Sequence, residues 1–225
     1  MGFIINAETL AEIDAAASAA GFHVVMAKGY EEKLVQRLQK QDEQAFNELV
    51  RLYQGRIFRL VFRMIGDRAE AEDLAQEVFV TVFKSIKNFR GDSKLSTWMY
   101  RVATNHCKNR IKYLGRRARG KKKELDELAD AAAIESATMN TSAQVPRPDE
   151  ALSGRQIERF VQMALAALPD EQRSLVVLRD VENLTYDEIQ SVTGLAQGTV
   201  KSRLHRARLA LATKVRELQT MERES

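Results

Sequence analysis

At 225 residues, 44% hydrophobic and 29% charged, the chain is long enough for one large or two small domains and too apolar to be a disordered polymer. Three prolines, eleven glycines and long runs of helical period point to an all-α protein. The net charge of +4 is only mildly basic, so the distribution of charge has to carry any argument about partners.

Cys107 stands alone, which excludes an intramolecular disulfide and leaves no thiolate cluster for structural zinc. His106 beside it is a poor metal partner, because adjacent residues on a helix point in different directions, and Cys107 is expected in the core. No paired carboxylates, nucleophile with base or metal spacing stands out, so no catalytic role and no cofactor are expected. No apolar run approaches membrane-spanning length, and the first residues lack the basic leader of a secretion signal. The expectation is a cytoplasmic protein without membrane insertion.

In chain order, residues 1–25 are Ala-rich, with a short helix expected over Glu8–Ala20. Helices follow over Tyr30–Gln39 and Glu43–Ile65. In the second, Phe46, Leu49, Val50, Tyr53, Ile57, Leu60, Val61 and Met64 hold the helical period for several turns. Gly66 closes it, and Asp67 with Glu70 three residues on resembles a capping box for the next helix. That helix gathers Leu74, Ala75, Val78, Phe79, Val82, Phe83 and Ile86 on one side. Its opposite face carries Asp73, Glu77, Val80 and Lys84, an apolar residue ringed by charge, which suits a docking face. A solvated stripe with one incidental valine accounts for the periodicity as well.

After the connection NFRGDSKLS a further helix runs to about Leu114, burying Trp98 or Met99, Val102, Ala103, Cys107, Ile111 and Leu114. Arg101, Asn105, Lys108 and Lys112 share another face, with Phe89, Trp98 and Tyr100 at the entrance. Cations that follow phosphates and aromatic rings on which bases stack are what a single-strand binder needs; a solvated basic helix with Trp98 in the core is the other reading. No acidic residue occurs from Ser93 to Lys123, whereas Asp67, Glu70, Glu72, Asp73 and Glu77 cluster just before. Adjacent fields of opposite sign suggest nucleic acid on one surface and a protein on another.

From Gly115 to Pro148 a basic block, an acidic block and a Ser/Thr/Ala/Pro tail read as a linker. Helical period returns with Ile157, Phe160, Val161, Ala164, Leu165 and Leu168, stopped before Pro169. A second helix spans Asp170–Asp180, and a third is capped by Thr185 with Glu188. Gly194 and Gly198 bracket the turn into a fourth, from Thr199 to about Leu218. A short helix, a Gly-containing turn and an Arg-rich helix make a helix-turn-helix. With Val200, Leu204, Ala207 and Leu211 buried, Ser202, His205 and Arg206 point away from the stripe, and Lys201, Arg203 and Arg208 lie on its flanks. Such a helix in a major groove offers its central residues to base edges and its flanks to phosphates.

The words DLAQEVF, FRGDS, TWMYRVATN, LTYDEI and GTVKSRLHRAR, in this order, resemble the extracytoplasmic function (ECF) class of bacterial RNA polymerase sigma factors; the resemblance runs from about Glu31 to about Leu218, with a gap of low similarity between Arg119 and Pro148. The resemblance implies a region 2 domain over 26–115, a flexible linker over 116–148 and a region 4 domain over 149–225; residues 1–25 have no counterpart in the family's core and are either an N-terminal extension or a consequence of start-site choice. It implies that Asp73, Gln76, Glu77, Val80 and Lys84 bind core RNA polymerase. Phe89, Trp98, Tyr100, Arg101, Asn105, Lys108 and Lys112 would bind and melt the proximal element of promoter DNA, with Asn105 helping to hold a flipped base. Thr199, Lys201, Ser202, Arg203, His205, Arg206 and Arg208 would read the distal element, His205 standing where some members carry an aromatic residue.

An anti-sigma factor is the further partner that the family implies. Unstacking a base costs a few kcal/mol and aromatic stacking recovers about 1–3 kcal/mol per base, so melting by capture needs no ATP, and no phosphate-binding GxxxxGK[ST] loop is present. The alternative is a stand-alone helix-turn-helix regulator, which has no reason to contain the stretch DLAQEVF to KNRIK.

Overall fold

The computed structural model describes residues 28–129 and 150–223, which contain helices and no strand. The first unit comprises α1 (Lys28–Gln39), α2 (Glu43–Ile65), α3 (Arg68–Ser85), a 3₁₀ turn over Ile86–Asn88, and α4 (Leu95–Ala129). The second comprises α5 (Glu150–Ala167), α6 (Asp170–Val176), a π-helical turn over Val177–Val181, α7 (Tyr186–Thr193) and α8 (Gln197–Arg223). The helix expected over Glu8–Ala20 lies outside the described residues.

The long helix α2 is the axis of the first unit, packing on α1, α3 and α4. Leu49, Tyr53, Ile57, Leu60, Val61 and Met64 are buried as their period requires, while Phe46 and Val50 only flank the core. Each buried aliphatic contributes on the order of 1.5–3 kcal/mol, so this stripe outweighs any single polar contact in the unit. The helix begins where Asp42 accepts hydrogen bonds from the amides of Gln44 and Ala45, and ends at Gly66 in the left-handed region with φ of 87°. Asp67 then caps α3 through the amide of Glu70 at 2.8 Å. The reciprocal half of the expected capping box is absent, because the Glu70 carboxylate accepts from Arg110 instead, at 2.5 Å.

Helix α4 starts at Leu95, whose amide donates to the Glu31 carboxylate of α1 at 2.6 Å, satisfying one of the helix's orphan donors. Met99, Ala103 and Cys107 are fully buried, with Trp98, Val102 and Ile111 packed at the edge. Cys107 is the small core residue expected, and burial pushes its thiol up to about 12. The helix does not stop near Leu114. It continues through Ala129, into the segment expected to begin a flexible linker at 116, while 130–149 lie outside the described residues. Arg, Lys, Glu, Leu and Ala are good helix formers, and extending an existing helix avoids the cost of nucleation.

In the second unit, Arg173 ties the turn after α5 together. Its guanidinium donates to the carbonyls of Leu165, Ala166 and Leu168, and to Met64 at the end of α2, so one cation closes the C-termini of two helices. Burial works against this charge and lowers its pKa. The expected helix over Asp170–Asp180 is α6 followed by the π turn. Thr185 and Glu188 form the expected capping box of α7, worth about 1 kcal/mol. Gly194, at φ of 73°, makes the turn, whereas Gly198 lies inside α8, which starts at Gln197 and ends at Arg223. Val200, Leu204 and Ala207 are buried, and Leu211 is partly so. None of the described helices is long and apolar enough to cross a membrane.

Candidate functional site

Three exposed faces collect most of the residues singled out in the sequence. The first is on α3. Asp73, Gln76, Glu77 and Lys84 are exposed, and Val80 in their midst is 51% exposed, so an apolar side chain stands open within a polar, mainly acidic surface. The other side of α3, through Leu74, Ala75, Val78, Phe79 and Val82, is buried.

Behind this face stands a support that sequence reasoning missed. Arg110 of α4 donates to Glu70 at 2.5 Å and to Glu77 at 2.6 Å. One turn earlier His106 pairs with the Thr81 hydroxyl at 3.0 Å, with its other ring nitrogen 3.8 Å from Glu77. Glu70 and Glu77 lie two turns apart on α3, and His106 and Arg110 one turn apart on α4; each pair shares a face of its own helix, but nothing in the sequence says that the two faces meet. His106 is thus a side-chain partner of α3, and among the described residues no group of three His, Cys, Asp or Glu is placed to hold a metal ion.

The second face is on α4. Arg101, Asn105 and Lys112 are exposed and Lys108 half-buried, and Asn109 and Arg116 extend the same face. From Arg101 to Arg116 it runs about 22 Å along the helix. The aromatic entrance is a different matter. Phe89 and Tyr100 are only 7% and 3% exposed, and Trp98 is half-buried with its ring 5.4 Å from that of Phe89. The expectation of three rings open to bases is therefore corrected: in this state Phe89 and Tyr100 belong to the core. Their apolar bodies are drawn inward, and the Tyr100 hydroxyl has a buried partner in Glu182, at 2.7 Å.

The third face is on α8. Lys201, Ser202, His205 and Arg206 are exposed, Thr199 half-buried, and the two flanking arginines are engaged by acids of their own unit. Arg203 pairs with Glu171, and Arg208 Nε with Asp180 at 3.0 Å. Lys201 lies over the Tyr186 ring, 5.5 Å from its centroid. Arg206 is exposed, and its Nε donates to the Ser202 carbonyl of its own helix in a long contact of 3.4 Å.

These faces fall within two matched regions: residues 49–117 match the family model of sigma-70 region 2, and residues 161–211 that of sigma-70 region 4. The chain is 36% identical over 181 residues to the RNA polymerase sigma-H factor of Pseudomonas aeruginosa, covering 80% of this chain and 91% of that protein. It is 35% identical over 188 residues to the ECF RNA polymerase sigma factor SigW of Bacillus subtilis, covering 83% and 97%. Against the ECF sigma-E factor of Escherichia coli K12 the identity is 34% over 188 residues, covering 82% and 94%. In fold it is similar to CnrH, solved in complex with the cytosolic domain of CnrY, with a TM-score of 0.57 at 17% identity, covering 81% of this chain and 95% of that one. The sigma factor RpoE of Bartonella quintana, solved with the anti-sigma factor NepR, gives 0.55 at 23%, covering 76% and 96%. With region 2 on α2–α4, region 4 on the helix-turn-helix, and relatives aligned over nearly their whole length, the chain belongs to the ECF class of RNA polymerase sigma factors, which direct the polymerase to promoters.

Proposed function

We propose that this sigma factor divides its work among the three faces. The α3 face around Val80 docks on core RNA polymerase. The α4 face captures the opened strand of the proximal promoter element, and α8 enters the major groove of the distal element. The factor is not an enzyme and works in the cytoplasm. It melts DNA by differential binding: the opened strand gains contacts to Arg101, Lys108 and Lys112 that the closed duplex does not, and Asn105 hydrogen-bonds an extruded base. An anti-sigma factor that withholds the chain from polymerase belongs to the same reading.

The observation that carries this is the acid-free α4 face set directly beside the acidic α3 face. A stand-alone regulator would need only the helix-turn-helix; nothing in that function uses a basic helix buttressing a docking helix through Arg110.

The test is Asn105→Ala assembled with core polymerase. Its amide is exposed and supports no packing, so folding and recruitment to duplex promoter should be unchanged. Open-complex formation should fall about tenfold or more, as expected from losing one to two hydrogen bonds to a base, and a template with a pre-melted bubble should restore most of it. Equal defects on duplex and bubble templates would contradict strand capture by this face.

A further inference from the structure

The two units are not independent in this structure, and the contact between them falls on the strand-capturing helix. α2 packs on α5, α6 and the π turn, and α4 packs on α7. At the centre lies Glu182, whose carboxylate is 2% exposed. It accepts from the Tyr100 hydroxyl of α4 at 2.7 Å and from Arg59 of α2 at 3.2 Å. Nearby, Lys94 at the foot of α4 pairs with Glu188 of α7 at 2.8 Å.

The loop that delivers Glu182 is specialised. It follows the π-helical turn, a feature that in helices marks functional sites more often than chance, and precedes Asn183, which holds φ of 56°. Beside it a cavity of 820 Å³ opens between the units. One wall, from the first unit, carries Phe89, Tyr100, Arg56, Arg90 and Lys94; the facing wall presents Glu182 and Glu188. Glu31 and Glu32 also line the first wall, but Glu31 is committed to the amide of Leu95. Carboxylates from one unit thus meet aromatic and cationic groups of the other, where a nucleic acid strand would bring its own negative charge.

We propose that Glu182 is an internal latch. Its carboxylate holds Tyr100 and Arg59, closes region 4 onto region 2, and keeps the entrance of α4 from single-stranded DNA until the units part. The proposal rests on the reading of α4 as the strand-capturing helix. A polar latch suits this role because a buried ion pair adds little net stability over an apolar contact, yet fixes one arrangement. When the units separate, water and a strand can take over both partners of Glu182, whereas an apolar seam would leave bare surface. The latch also accounts for the burial of Tyr100 on a helix whose neighbouring side chains Arg101 and Asn105 are open.

The experiment uses the full chain, labelled with a donor and acceptor at Arg51→Cys and Thr213→Cys, both exposed, while Cys107 is buried. Glu182→Gln removes the charge at constant shape, Tyr100→Phe removes the hydroxyl alone, and Arg59→Gln acts from the other unit should the first disturb its own fold. Each should change the energy transfer in the direction of separated units, with helical content retained. Each should also tighten binding of a fluorescent single-stranded oligonucleotide by the free chain about tenfold, because apparent affinity scales with the competent fraction. Unchanged transfer in all three variants would overturn the latch. Altered transfer without tighter oligonucleotide binding would overturn the masking, and the bubble-template result for Asn105→Ala would stand or fall on its own.

Discussion

Asp73→Lys combined with Val80→Glu should abolish binding to core RNA polymerase while leaving the chain folded, if the α3 face docks as proposed. Both side chains are exposed on α3 and neither belongs to the buried stripe of Leu74, Val78 and Val82 that holds the helix down. Surface changes of this kind alter stability by about 0.5 kcal/mol or less. At an interface the same pair is severe. It places a cation where the partner expects an anion and a charge where it expects an apolar contact, and each fault costs about 2–5 kcal/mol. Together they should weaken binding more than a thousandfold, to be read by titrating labelled chain with core enzyme. Glu77 is the less informative position, since Arg110 holds its carboxylate at 2.6 Å and a lysine there would also repel Arg110. Undiminished affinity in the Asp73/Val80 variant would remove the docking role of this face.

The second large effect is in sequence reading by α8. Arg206→Ala should cost about 1–3 kcal/mol, a loss of roughly 5- to 150-fold, concentrated at one or two base pairs of the distal element. Arg206 is exposed on the side of α8 away from the buried Val200, Leu204 and Ala207, so a groove entered by this helix meets it. Lys201→Ala should instead weaken all sequences alike and flatten the dependence on salt by about one counterion. Arg208→Ala should do less than Lys201→Ala, because Asp180 already neutralises Arg208 in the free protein and a phosphate gains only what the exchange returns. Binding series over single-base variants at several salt concentrations separate the three. A uniform loss for Arg206→Ala with altered base preference for Lys201→Ala would mean the helix lies in the groove rotated by one residue, about 100°.

The buried stripes were legible because period alone determines them: Leu49 to Met64 on α2 and Val200 to Ala207 on α8 fall where a 3.6-residue repeat puts them. The caps at Asp42, Gly66, Thr185 and Gly194 follow local side-chain and backbone chemistry, so Gly66, Asp67, Thr185 and Gly194 could be named before any tertiary contact was known. What depends on partners distant in sequence was not legible. Phe89 and Tyr100 have the residue types of a stacking platform, but whether a ring is open is decided by what packs over it, and for Tyr100 that is a carboxylate 82 residues away. The diversion of Glu70 from its capping box to Arg110 is of the same kind, as are the acids that engage Arg203 and Arg208. The continuation of α4 past Leu114 has another cause: the sequence signals only the loss of the buried period there, whereas charged residues favour helix once one is already running.

Reconstituted transcription tests the central claim most directly. Purified chain is added to core polymerase with a library of promoter fragments, and start sites are mapped alongside protection of the DNA. The account predicts discrete starts that depend on the chain, with two separated protected elements, the proximal one sensitive to Asn105→Ala and the distal one to Arg206→Ala. Sequence-specific DNA binding by the chain without core, unaccompanied by any change in the transcripts that core produces, would contradict it.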